Sequence, residues 1–113
     1  MGTNAETIDY LLDQLRGGGA EVSARKMFGE YGLYLDGKMV AMVCDDHLFV
    51  KPVPGATAML EGAECVPPYP QAKPHPRIDG ERWEEADWLA GLFRVVADGL
   101  PTPKPKKART KAN

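Results

Sequence analysis

The sequence predicts an α+β domain in two layers, an antiparallel β-sheet packed by an N-terminal and a C-terminal helix. Three observations carry this reading: an amphipathic helical rhythm near each end, a turn-punctuated run of short strands between them, and apolar residues on both faces of those strands. With 113 residues, the chain has the length of one domain.

Ile8, Leu11, Leu12 and Leu15 repeat at helical spacing, and Thr3 to Glu6 reads as a capping box at the start of that helix. Gly17-Gly18-Gly19 ends it. A phosphate-cradling loop would follow a strand and open a helix, and this glycine run does the reverse. Val22 to Phe28 forms either a first strand or an irregular lead-in to Gly29-Glu30-Tyr31-Gly32.

The run from Lys26 to Pro52 reads as a meander. Asp36-Gly37 suits a two-residue type I′ turn, because both central residues need positive φ. That turn sets Leu35 beside Lys38, Tyr34 opposite Met39 and Leu33 opposite Val40. Asp45-Asp46 repeats the device, setting Cys44 against His47, Val43 against Leu48 and Met42 against Phe49. One face then carries Leu33, Leu35, Val40, Met42, Cys44 and Phe49, and the other Tyr34, Met39, Ala41, Val43, Leu48 and Val50. An antiparallel sheet in a small monomer normally shows water one polar face, so two apolar faces point to cover from a second subunit.

Beyond Pro52, Ala56 to Leu60 allows a short helix before Gly62. The stretch from 66 to 76, VPPYPQAKPHP, suits an extended edge or loop because each proline lacks a ladder donor. A short strand around Arg77-Ile78 and a turn at Asp79-Gly80 follow. Trp88, Leu89, Leu92, Phe93, Val96 and Leu100 line one side of a final helix, stopped by Pro101-Thr102-Pro103. Residues 1–103 thus form the domain and 104–113 a basic tail expected to be disordered.

Composition narrows function. The hydrophobic fraction of 43% is that of a globular protein, and the amino terminus lacks a signal peptide pattern, which points to a bacterial cytoplasmic setting. The net charge of −2 conceals a divide. Lys104, Lys106, Lys107, Arg109 and Lys111 give the tail +5 with no acid, leaving −7 on residues 1–103. Such a tail either contacts nucleic acid nonspecifically through phosphates or serves solubility.

Little in the chain points to catalysis. Cys44 and Cys65 lack metal or redox spacing, and Cys44 reads as a small buried hydrophobe. His47 and His75 fall in different elements, and no nucleophile elbow or phosphate loop is present. Asp45-Asp46 is explained by turn chemistry, and Glu81, Glu84, Glu85 and Asp87 by the dipole of the final helix. Met27, Met39, Met42 and Met59 suit core or interface filling. No cofactor or metal is expected. A pocket using Tyr31, Tyr34 and His47 is the form in which a small-molecule binder or enzyme would show itself.

The residues also carry a family likeness. Arg25-Lys26-Met27-Phe28-Gly29, Tyr31-Gly32-Leu33-Tyr34, Phe49-Val50-Lys51, Tyr69 with Ala72-Lys73-Pro74, Arg77-Ile78, Trp88-Leu89 and Leu100-Pro101 occur in an order and spacing that resembles the TfoX N-terminal domain family. That family is named for the TfoX/Sxy regulators of bacterial competence. The resemblance implies a two-layer, secretion-chaperone-like fold that often dimerises. It also implies a link to transcriptional control of DNA uptake alongside a cyclic-AMP receptor protein. Longer regulators carry a second domain where this chain has its basic tail, and the resemblance transfers no catalytic residue. The expected role is a non-enzymatic regulatory or adaptor domain working by protein contact, with homodimerisation and a transcription-regulator partner. Lys26, Phe28, Gly29, Tyr31 and Tyr34 are the candidate contact surface.

Overall fold

A computed structural model of the chain describes residues 3–27 and 30–101. Helix α1 (Ala5–Gly17) leads into strands β1 (Ser23–Met27), β2 (Glu30–Leu35), β3 (Lys38–Cys44) and β4 (His47–Val50). A 3₁₀ turn (Pro54–Ala56), β5 (Glu64–Val66), β6 (His75–Ile78), a short helix α2 (Gly80–Trp83) and α3 (Ala86–Gly99) complete it. The six strands form one antiparallel sheet in the order β1-β2-β3-β4-β6-β5, so the α+β expectation holds.

Both long helices pack on one face of this sheet. Ile8, Leu11 and Leu15 of α1 meet Leu89, Leu92, Phe93 and Val96 of α3 over Leu33, Val43, Leu48 and Val50. Burying each such side chain contributes roughly 1.5–3 kcal/mol relative to exposure. Lys38 closes the far end of the layer, where its Nζ donates to the carbonyl of Ala97 at 2.8 Å in the last turn of α3. A cation is favoured there by the helix dipole.

Both hairpin turns have positive φ at their two central residues, 56° and 77° at Asp36-Gly37 and 53° and 64° at Asp45-Asp46. The second hairpin pairs as expected. The first departs from the two-residue register after one step: Tyr34 faces Met39, but Leu33 faces Ala41, and Val40 is the extra residue of a bulge. A bulge admits one additional residue without breaking the hairpin. It changes the face assignment, because Val40 and Ala41 both enter the main core with Leu33 and Leu35. Met42, Cys44 and Phe49 fall on the outer face, joined by Val66.

Other local expectations are corrected. Asn4, not Thr3, caps α1, its side-chain oxygen accepting from Glu6 N at 3.1 Å, because Thr3 is engaged across the fold with Glu30. Residues 54–62 form a 3₁₀ turn and further turns in place of a helix from Ala56 to Leu60, with Pro54 setting the entry and Gly62 at φ +87° the exit. The proline-rich stretch supplies β6, which starts at His75 and lies inside the sheet. Pro76 is tolerated there because the ladder with β4 covers only Arg77 and Ile78.

The glycine run does more than stop α1. A Cβ on Gly18 would lie 2.3 Å from the Ala86 carbonyl oxygen and 2.8 Å from Ala90 Cβ, so the end of α1 touches the start of α3 without a side chain between them. Gly18→Ala should therefore lower unfolding free energy by about 1–3 kcal/mol, as overpacking does, with an unchanged slope in urea.

The Asp45-Asp46 turn is tied to α1. Asp46 accepts from Asn4 N and Thr7 Oγ1, each at 2.9 Å, and these bonds hold its carboxyl below the usual 3.8. A depressed folded pKa stabilises the fold fully above the unfolded value, and that stabilisation is lost as pH falls through the folded one. The melting temperature of the wild type should exceed that of Asp46→Asn at pH 6. The gap should narrow below about pH 4 and close at lower pH.

Candidate functional site

The outer face of the sheet, opposite the helices, holds the feature best formed for binding. A hollow of about 470 Å³ opens there, lined by Met27, Glu30, Tyr31, Met39, Met42, Cys44 and Tyr69. Its floor is Gly32. A Cβ on that residue would lie 2.9 Å from Met39 Sδ, 3.1 Å from Met27 Cε and 3.2 Å from Tyr34 Cε1, so the long side chains lean over bare backbone. Met42 stands directly across the ladder from Gly32.

Tyr69 reaches this hollow from the proline-rich connection between β5 and β6 and is 54% exposed. Met42, Cys44 and Phe49 are at most 8% exposed, so the single chain already covers that part of the outer face. Met27, Tyr34 and Met39 remain half-exposed. The second apolar face therefore divides into a closed part and an open part.

The polar rim was not anticipated from the sequence. Glu30 accepts from the Asp45 backbone N–H at 3.0 Å and from Thr3 Oγ1, which in turn accepts from Asp46 N at 3.3 Å. This set ties the start of β2, the β3–β4 turn and the approach to α1 together. No sequence spacing links Thr3, Glu30 and Asp45; only the hairpin register does.

Of the five candidate contact residues, the structure describes Lys26, Tyr31 and Tyr34. Phe28 and Gly29 lie outside the described residues. Lys26 pairs with Tyr31, and Tyr31 packs against the helix-side core while also bordering the hollow. Tyr34 stands on the outer face, its ring beneath the Arg25 guanidinium at 5.1 Å. The tail cations Lys104, Lys106, Lys107, Arg109 and Lys111 also lie outside the described residues.

His47 does not line the hollow, and among the described residues no hydrogen bond joins it to a carboxylate; its ring meets Phe49 edge-on at 6.5 Å. Tyr31 alone of the trio Tyr31, Tyr34 and His47 borders it. Among the described residues, no three His, Cys, Asp or Glu side chains gather as metal ligands. No helix of the described residues is long and apolar enough to cross a membrane.

With this geometry in view, residues 13–98 match the sequence model of the TfoX N-terminal domain. The chain belongs to the TfoX N-terminal domain family. It is also 40% identical over 111 residues to a Spirochaeta aurantia protein described as an uncharacterized 12.7 kDa protein in the trpE 5′ region, covering 98% of this chain and 95% of that one. The likeness thus runs well beyond the matched domain core, and this relative is of similar length.

Both cysteines of this TfoX-type domain are free thiols, in opposite surroundings. Burial, followed by the nearby Glu30 and Asp45 carboxylates, pushes Cys44 up to about 11, whereas Cys65 is exposed. Since the thiolate is the nucleophile, a disulfide-exchange reagent at pH 8 should modify one thiol per native chain rapidly. Cys65→Ser should abolish that fast phase, and denaturant should restore reaction at Cys44.

Proposed function

We propose that this chain is a non-enzymatic regulatory or adaptor domain of the TfoX type, acting by protein–protein contact, with a second copy and a transcription regulator as its partners. The observation that carries this is the open part of the outer sheet face. Met27 of β1, the edge strand of the sheet, and Tyr34 and Met39 of the next two strands stand half-exposed, with Arg25 of β1 over the Tyr34 ring. Aromatic residues, methionine and arginine are the types enriched at the cores of protein interfaces. An edge strand adds unpaired backbone groups that a partner strand can meet. Membership of the family supports a regulatory role, which in this reading is regulation of competence in the bacterial cytoplasm.

Sedimentation of the full-length protein at micromolar concentration tests the self-association. A dimer that Tyr34→Glu converts to monomer supports the reading, and a wild-type monomer removes the homodimer from it. The tail carries a second reading, because five cations without an acid are an electrostatic footprint for phosphates. Nucleic acid retained at low salt, released steeply as salt rises and lost on truncation after Pro103, would favour that reading.

A further inference from the structure

Four of the seven residues around the outer-face hollow carry sulfur: Met27, Met39, Met42 and Cys44. The chain has five methionines and two cysteines in all, so this one feature gathers most of its sulfur. Leucine or valine would fill the same space with stiffer walls. Methionine adds a polarisable thioether, a soft donor that carries no proton and needs to lose none before it binds a metal.

The backbone places all four side chains on the outer face around one hollow. Gly32 leaves room above β2 for Met39 Sδ and the end of Met27, both about 3 Å from the Cβ position that it lacks. Met42 stands across the ladder, and Cys44 follows two residues on, hence on the same side of β3. The rim is acidic: Glu30 borders the hollow, and Asp45 is fastened to its carboxylate through the backbone. Arg25 of β1, two residues before Met27, is stacked over Tyr34. Neutral soft donors with an acidic rim and aromatic walls from Tyr31 and Tyr69 suit a soft monovalent cation.

We propose that this hollow is a binding site for a soft monovalent metal ion, copper(I) in chemical class, held by the thioethers of Met27, Met39 and Met42 with Cys44 as a fourth donor. Coordination is a ligand exchange without electron transfer: water leaves the metal and sulfur lone pairs replace it. If Cys44 binds as thiolate, its proton passes to solvent. Zinc, which takes thiolate, imidazole and carboxylate ligands in its protein sites, finds a poor match in a set dominated by thioethers. The site shares Met27 and Met39 with the proposed contact face, but its formation needs only one chain, so silver binding and self-association are read separately.

Silver(I), which is inert to oxidation under these conditions and shares the coordination preference, is the probe. The full chain carrying Cys65→Ser, which removes the exposed thiol, is titrated with silver(I) while the methionine methyl resonances are followed by NMR. One equivalent should shift the methyls of Met27, Met39 and Met42 and leave Met59, which borders Gly91 on α3, in place. Met39→Leu and Met42→Leu conserve volume and should each weaken binding by at least about tenfold, a loss that even outer-shell changes bring at metal sites. Met59→Leu should change nothing, and zinc should not displace silver. Binding that survives both leucine replacements, shifts that extend equally to Met59, or no saturation at one equivalent would overturn the site. Should Met42→Leu fail to fold, the half-exposed Met39 supplies the deciding variant.

Discussion

One constraint shapes the whole domain: a six-stranded sheet covered by helices on a single face must still keep water off apolar residues on the other. The bulge at Val40 makes this workable. It places Val40 and Ala41 together in the helix-side core, so β3 contributes consecutive side chains to the layer beneath α3. From Met42 onward the strand alternates normally, sending Val43 inward and Met42 and Cys44 outward. Without the bulge, Leu33 and Leu35 would share a face with Met42 and Cys44, and the helix-side core would lose two leucines that are at most 7% exposed.

The outer apolar cluster is small, and the proline-rich connection makes it sustainable. The chain leaves β5 and returns as β6 between β4 and β5, so the eight residues of the connection must run between the ends of paired neighbours. Proline suits such a path, since it stiffens an extended segment and demands no ladder partner. The connection carries Tyr69 to the hollow, while Val66 packs on Met42, Cys44 and Phe49. Covering part of the outer face from within the chain leaves a strip near the β1 edge partly open. That strip is where the half-exposed Met27, Tyr34 and Met39 remain.

Much of this architecture was legible in the sequence. Turn chemistry at Asp36-Gly37 and Asp45-Asp46 located the hairpins, and the apolar stripes located both long helices, because these signals act within a few residues. Three features were not legible. The bulge arises from packing demands of α3, which no local spacing records. Strand β5 is three residues long with two exposed positions, too short for an alternation signal. The hollow depends on residues from β1, β2, β3 and the β5–β6 connection meeting on the outer face. Its one sequence trace was the concentration of methionine between residues 27 and 42, which core filling explained equally well.

Several polar side chains of the described residues hold the fold together. Asp46 anchors the start of α1, Glu30 caps the β3–β4 turn, and Arg94 reaches the Gly18 carbonyl at 3.3 Å. Arg77 pairs with Glu64 across the β5–β6 ladder, and Trp83 Nε1 donates to Ile78. Among the described residues, no polar or charged residue is buried and no buried side-chain nitrogen or oxygen lacks a partner. In the described body of this domain these polar side chains join helix ends, turns and strands. What it holds in reserve is soft and apolar: thioethers, one desolvated thiol and tyrosine faces. Thioethers and tyrosine faces are side chains that adapt to a partner surface, and thioethers also to a soft ion.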